Sequence, residues 1–250
     1  NLKTNSSIIC DNSIAKLIRN KVKKNSKFVI QSKNNPFKIL GSKPQGLKTK
    51  LKINYNNNIY NITINLIGKF QIENLFHAIM LSVSSGISEN KIMNVLPKIK
   101  PIKGRLNVFK NKNKIVCLDY AHTPDGLEKV ITTLESHFKK RVNIVFGCGG
   151  NRDKGKRENM AKIANKFCKK IIVTDDNPRD ENPKNITKQI YKFIDKGLII
   201  NNRKLAIKKA IQEIGQNEVL LVAGKGHENY QIIKGRKFHF SDYEEIIKNL

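Results

Sequence analysis

From residue 105 onward the apolar positions fall into two alternating rhythms. Short apolar runs at 115–120, 142–147, 170–175 and 219–223, with a weaker one at 198–201, are bounded by polar or glycine-bearing turns. Runs of that length without strict alternation mark strands buried on both faces. Between them, residues 124–138, 157–167, 186–194, 204–214 and 242–250 carry apolar residues at helical spacing. Strand and helix in alternation predict a parallel sheet covered by helices on both faces, an α/β domain. The helix starts agree: Thr123 precedes Pro124 at a first helical position, and Ser241 with Glu244 has the spacing of a capping box.

Residues 1–103 read differently. A helix fragment is expected at 13–19 and a strand at 27–32. Residues 47–67 alternate apolar and polar about Asn56-Asn57-Asn58, the sign of a hairpin with a polar turn. A helix follows at 71–84, with Ile72, Leu75, Phe76, Ile79 and Met80 on one face. A second is expected at 88–99, opening on Ser88 and Glu89 and closing near Pro97. Lys98 to Gly104 (KIKPIKG) has the proline, glycine and charge of a linker. Two domains are therefore expected, 1–103 and 104–250.

Composition narrows the possibilities only partly. A chain of 250 residues can bury a real core. Its formal net charge of +28, from 48 Lys and Arg against 20 Asp and Glu, would ordinarily point to a polyanion. The excess is mostly Lys, is spread along the whole chain and accompanies heavy use of Asn and Ile, so no nucleic-acid partner is expected. Cys10, Cys117, Cys148 and Cys168 lie far apart, with no metal-ligand spacing, which fits a reducing cytoplasm and argues against structural zinc. No apolar run approaches the ~18 residues of a membrane span and no signal-peptide pattern opens the chain, so no membrane partner is expected. The first residue is Asn rather than Met, and the chain is expected to start inside a longer protein.

Candidate chemistry gathers on the loops that follow the strands, where open α/β sheets bind ligands. After the run at 170–175 comes Asp176-Asn177-Pro178-Arg179. A guanidinium can grip a carboxylate through two parallel N–H bonds, and Asp and Asn can hold an ammonium beside it, a pairing suited to an amino acid. Taken alone the tetrapeptide also suits a plain solvated turn. Asp119, at the end of the first strand, can accept ribose hydroxyls, and His122 follows it. The glycine-rich basic stretch 147–157 (GCGGNRDKGKR) allows backbone amides to approach an anion, although it is not a Walker loop. Gly224 and Glu228 occupy the turn after the last strand, where Glu228 can hold a second ammonium.

The runs DYAHTPDGLEKV, VFGCGGNRDKGKR, DNPRDENP and AGKGHENYQ, in this order, resemble the C-terminal domain of the Mur ligases. GRLNVF at 104–109 is similar to the start of that domain, and IGKFQIENLFHAI at 67–79 to the end of the central ATPase domain. The motifs are nearest those of the diaminopimelate-adding branch. The resemblance implies a Rossmann-like, mostly parallel C-terminal sheet domain at 104–250, preceded by the tail of an α/β ATPase domain at 1–103. It implies an ATP- and Mg2+-dependent ligase of peptidoglycan synthesis, joining meso-diaminopimelate to UDP-N-acetylmuramoyl-L-alanyl-D-glutamate through an acyl phosphate. On that basis Asn74, Arg105, Asp119 and His122 fall on nucleotide-binding positions. Arg152, Asp176, Asn177, Pro178, Arg179, Gly224 and Glu228 fall on those that bind the diamino acid. Gln71 stands where the family usually has Asn. The family's phosphate loop, metal ligands and modified lysine have no counterpart here, so no catalytic residue or metal ligand is assigned and no activity is expected of the chain alone. A cytoplasmic monomer is expected. The alternatives are a lysine-adding relative and a non-catalytic binding module left by a split or decayed gene.

Overall fold

The computed structural model describes residues 37–250, the short strands Ser7–Ile9 and Lys27–Val29, and Lys16. Apart from these, the helix expected at 13–19, the end of the strand expected at 27–32 and Cys10 lie outside the described residues. The chain divides into two compact units, 1–100 and 101–250.

In the first unit, β1 (Ser7–Ile9) and β2 (Lys27–Val29) pair in parallel. A three-stranded antiparallel sheet follows, made of β3 (Phe37–Gln45), β4 (Lys48–Tyr55) and β5 (Asn58–Ile64). The hairpin expected at the asparagine run is present: Asn56 and Asn57 both take positive φ, 46° and 69°, as a two-residue turn between twisted strands requires. β4 and β5 turn Leu51, Ile53, Tyr55, Ile62 and Ile64 to one side. There they meet Ile72, Leu75, Phe76, Ile79 and Met80 of α1 (Lys69–Ser84), and the core closes over α2 (Glu89–Val95). The second helix is shorter than expected, because Pro97 lies in a tight 3-10 turn, Leu96–Lys98.

The second unit is built on one six-stranded sheet. Its strands are β6 (Asn107–Asn111), β7 (Lys114–Asp119), β8 (Arg141–Phe146), β9 (Cys168–Val173), β10 (Leu198–Ile199) and β11 (Glu218–Ala223). They lie in the order β10-β9-β8-β11-β7-β6, parallel except for β6. The helices are α3 (Pro124–Phe138), α4 (Gly155–Phe167), α5 (Pro183–Tyr191), α6 (Arg203–Gln212) and α7 (Asp242–Asn249). The chain returns from β10 to insert β11 between β7 and β8, bringing the loops after these strands to one edge. Val116, Leu118, Val145, Ile172, Leu220 and Val222 pack against Ala206, Ile207 and Ala210 of α6 and Ile246 of α7. Each Val, Leu or Ile of this set contributes about 1.5–3 kcal/mol on burial. No helix among the described residues is long and apolar enough to cross a membrane.

Local signals explain the helix starts. Thr123 Oγ1 accepts from the Gly126 amide at 3.3 Å, and Asn182 and Asn202 cap α5 and α6 in the same way. The capping box at α7 is only half formed. Ser241 accepts from the Glu244 amide at 3.4 Å, but the Glu244 carboxylate turns to His239 Nε2 at 2.8 Å.

Glu218 anchors the amino-terminal edge of the sheet. Its carboxylate is buried and accepts from Lys169 Nζ at 2.6 Å, Asn143 Nδ2 at 2.8 Å and the Gly215 amide at 2.9 Å. Burial alone would raise its pKa, but Lys169, Gly215, Asn143 and Lys170 together outweigh it and hold the group at about 2. The sign follows: a depressed folded-state pKa gives stability that is fully present above the ordinary carboxylate value, ~4.3. That stability is lost as pH falls from there through about 2. Glu218→Gln is expected to cost about 1–3 kcal/mol at neutral pH, with the gap from wild type closing between those two pH limits in urea titrations. A gap independent of pH would show that the carboxylate's charge plays no part.

Candidate functional site

The first sector of the carboxyl edge is organised by Asp119, at the end of β7. Its Oδ2 accepts from the Leu106 amide at 2.8 Å and its Oδ1 from the Ala121 amide at 2.7 Å. Burial pushes this carboxyl above its ordinary value, and the two amides with Arg105 and His122 pull it part of the way back. The carboxylate thus ties down the start of the unit. Arg105 is exposed and lies over the Tyr120 ring, 4.7 Å from its centroid. His122 meets the same ring edge-on at 4.6 Å, with Nδ1 2.8 Å from the Tyr120 carbonyl. Tyr120, which also packs on His227, is the hub that brings Arg105 and His122 together, and nothing in its sequence context marks it for that place. Asn74 is exposed on α1, in the other unit.

In the loops after β8 and β9 the glycines do something other than cradle an anion. A Cβ on Gly147 would stand 2.1 Å from the Thr174 carbonyl oxygen, and one on Gly150 2.0 Å from that of Pro178. They let the backbone of one loop lie directly on its neighbour, and the Gly150 amide donates to the Asn177 carbonyl at 2.9 Å. Arg157 fastens the pair. It is buried, and its Nη2 reaches both Glu181 oxygens at 2.9 and 3.0 Å while Nη1 donates to Gln189 at 2.7 Å. That bond to Arg157, with the Asn151 amide, holds the Glu181 carboxyl below its usual value against the effect of burial. Arg152 stands exposed with no hydrogen bond or ion pair among the described residues. Cys148 faces the interior against Met160, and burial pushes its thiol up to about 12, so it is no nucleophile at neutral pH.

The Asp176–Arg179 turn is the most constrained part of the edge. Asn177 is buried; its Nδ2 donates to Glu228 Oε2 at 3.0 Å, and its Oδ1 accepts from the Ile232 amide at 3.0 Å and from Lys225 Nζ at 3.3 Å. Lys225 is fully buried and also lies 3.5 Å from Asp176 Oδ1 and 3.1 Å from Glu228 Oε2. Asp176, Asn177 and Glu228 do gather round an ammonium, but it is the chain's own. One oxygen of each carboxylate, Asp176 Oδ2 and Glu228 Oε1, is left with no hydrogen bond among the described residues. Pro178 is buried in the turn. Gly224, at φ 112°, leaves open space beside the turn after β11, where a Cβ would meet only the Gly147 carbonyl oxygen, at 3.9 Å.

Arg179 takes φ 51°, a conformation uncommon outside glycine, asparagine and aspartate. A hairpin holds it there: β12 (Tyr230–Ile233) and β13 (Arg236–His239) pair antiparallel. The Arg179 amide donates to the Ile232 carbonyl at 2.9 Å, and the Lys234 amide to the Arg179 carbonyl at 2.7 Å. Arg179 Nη1 donates to the Gly150 carbonyl at 2.9 Å and lies 3.4 Å from that of Asn177. Its Nε and Nη2 have no acceptor among the described residues.

Residues 104–226 match the family model described as "Mur ligase, glutamate ligase domain". The chain is 43% identical over 230 residues to a UDP-N-acetylmuramoyl-L-alanyl-D-glutamate–2,6-diaminopimelate ligase of Rickettsia felis, covering 90% of this chain and 43% of that protein. The chain belongs to the Mur ligase family. A Clostridium acetobutylicum ligase of the same description is 42% identical over 197 residues, covering 76% of this chain and 41% of its own length. This Mur ligase chain therefore spans less than half the length of these two curated relatives. Among solved structures, one of a UDP-N-acetylmuramoyl-L-alanyl-D-glutamate–2,6-diaminopimelate ligase superposes with a TM-score of 0.68 at 28% identity, over 98% of this chain and 53% of that one. A folylpolyglutamate synthase from Thermotoga maritima shares the fold, with a TM-score of 0.67 at 21% identity, over 89% of this chain and 52% of its own.

The family uses ATP. The exposed Arg105 and the half-buried His122 on the Tyr120 ring, beside the Asp119 carboxylate, suit the charged and hydroxyl-bearing parts of a nucleotide. No group of three His, Cys, Asp or Glu side chains among the described residues is placed to hold a metal ion.

Proposed function

We propose that this chain is part of an ATP-dependent ligase that joins meso-diaminopimelate to UDP-N-acetylmuramoyl-L-alanyl-D-glutamate in the cytoplasm, and that the 101–250 unit holds the incoming diamino acid. The observation that carries the reading is the half-committed guanidinium of Arg179. With Nη1 fixed on backbone carbonyls, Nε and Nη2 present a planar pair of donors, the geometry that grips a carboxylate from the side. The free oxygens of Asp176 and Glu228 supply the acceptors an ammonium needs, and Arg152 adds an exposed cation near the same loops. Arg105, Asp119 and His122 are assigned to the nucleotide, and Asn74 by resemblance alone. ATP, when bound, supplies the phosphoryl group that activates the D-glutamate carboxylate. This unit's part is to orient the amine that attacks it. Magnesium is expected to accompany ATP, with no residue of this chain assigned to it, and the protein is expected to be monomeric.

Lysine-adding relatives are the second reading. Lysine lacks one carboxylate of diaminopimelate and would leave Nε and Nη2 of Arg179 unpaired, a polar mismatch of the kind that gives strong selection. In a complete enzyme Arg179→Ala should lower kcat/KM for diaminopimelate roughly 10²–10³-fold, the loss of two charge-assisted bonds, while leaving the KM for ATP unchanged. Undiminished use of diaminopimelate would remove Arg179 from this role. Preference for lysine by the unsubstituted enzyme would favour the second reading.

A further inference from the structure

The carboxyl edge is not the only concave surface of the 101–250 unit. A cavity of about 240 Å³ opens at the opposite, amino-terminal edge of the sheet, between the beginnings of β8, β9 and β11, the segment ahead of β10 and the end of α6. Ile172, Leu198, Ala210 and Leu220 form its walls. Three lysines also line it. Lys169 is drawn to Glu218 at 2.6 Å; Lys170 donates to the Glu213 carbonyl at 2.9 Å and lies 3.8 Å from Glu218. Lys196 is exposed and has no acidic partner among the described residues. The lining carboxylate, Glu213, is already engaged by Lys209 at 2.5 Å.

Protein interiors are close-packed, and an unfilled apolar space forfeits dispersion contacts on every wall. The walls favour a hydrocarbon body and the mouth favours an anion. The volume lies just below the ~300–1,000 Å³ usual for drug-sized ligands, so the body must be small. We propose that this cavity binds a small amphipathic carboxylate, its hydrocarbon part against Ile172, Leu198, Ala210 and Leu220 and its carboxylate at Lys196. None of these residues belongs to the amino-acid or nucleotide positions, and the proposal stands independently of the ligase reading.

The test titrates octanoate, and separately neutral 1-octanol, into the isotopically labelled 250-residue chain while amide and methyl NMR shifts are followed. Saturable octanoate shifts confined to Ile172, Gly197, Leu198, Ala210 and Leu220 are expected, with weaker binding of the alcohol. Lys196→Glu, a surface change that leaves folding alone, should weaken octanoate about two- to fivefold, the effect of one exposed ion pair, and leave 1-octanol unaffected. Ala210→Leu should fill the space and abolish binding of both. The proposal is overturned if octanoate gives no saturable shifts at millimolar concentration or if its shifts map elsewhere. Binding of octanoate and octanol with equal affinity, or insensitivity to Lys196→Glu, would overturn it as well.

Discussion

Replacing Asp242 with Asn is expected to destabilise the 101–250 unit by about 3–5 kcal/mol. Asp242 and Arg203 are both wholly shut off from solvent. Arg203 Nε meets Oδ1 and Nη2 meets Oδ2, each at 2.7 Å, a bidentate pair. The guanidinium goes further: Nη2 donates to the Ala223 carbonyl at 2.9 Å, and Nη1 lies 3.3 Å from the carbonyl of Asp175. Those carbonyls immediately precede Gly224 and Asp176, so the ion pair ties α6 and α7 to the roots of the two loops to which the amino-acid site is proposed to belong. Asn keeps the shape of Asp but leaves a buried cation without its counter-charge, which is the costly way to break such a pair. Removing both charges together, as Arg203→Met with Asp242→Leu, should restore most of the stability, because desolvation of the ions disappears along with their attraction. The two variants separate charge from positioning. Asp242→Asn should lower the thermal midpoint by ~10 °C. The apolar pair should melt near wild type yet bind the diamino acid less well, because both carbonyl contacts are gone. An Asp242→Asn protein that melts with wild type would show that the pair does not hold the unit together.

The parallel strands and the helices of the second unit are legible because burial on both faces of a sheet leaves continuous apolar runs, and two helix starts carry Thr123 and Ser241. The caps Asn182 and Asn202 emerge only in the structure, where α5 begins at Pro183, three residues before the expected 186. What escaped reading lies where burial writes no pattern. β13 is exposed along its whole length, so no apolar alternation marks it; backbone pairing and its hold on Arg179 define it instead. β3 was hidden by the register shift between Ile39 and Gly41 and by Pro44. β6 is only half-buried, an antiparallel edge strand too short for a period to show. At the site, Asp176, Asn177, Arg179 and Glu228 were readable as a cluster from their loops and from family likeness. In the sequence the glycines at 147 and 150 suggest room for a ligand, whereas in the fold they make room for the neighbouring loop. Lys225 was missed because a lysine between two glycines reads as a solvated cation, and only the fold encloses it.

That buried lysine leads to the second large effect: Lys225→Met should severely impair use of the diamino acid. An ammonium withdrawn from water loses several kcal/mol of hydration, and it is tolerated only where good partners replace that hydration. Here Asp176, Asn177 and Glu228 supply oxygens at 3.5, 3.3 and 3.1 Å, and Tyr230 presents its ring 5.7 Å away. The same contacts fix one oxygen of each carboxylate, which leaves the other directed by geometry rather than by chance. Methionine fills similar volume but removes the charge, so two carboxylates would share a confined space with nothing between them, at a cost of about 3–5 kcal/mol. The loops are expected to spread, raising KM for diaminopimelate in a complete enzyme by two orders of magnitude or more, while the KM for ATP stays within a few-fold. A structural effect alone would be repaired by relieving the repulsion. Lys225→Met combined with Glu228→Gln should regain thermal stability but not diaminopimelate affinity, because Glu228 itself is assigned to the substrate ammonium, and a double-mutant cycle reads the coupling directly. If the double variant recovered affinity along with stability, Glu228 would have no role beyond partnering Lys225. If Lys225→Met left KM for diaminopimelate unchanged, the ammonium would be a packing feature, and the free oxygens of Asp176 and Glu228 would owe their placement to the hairpin that grips Arg179.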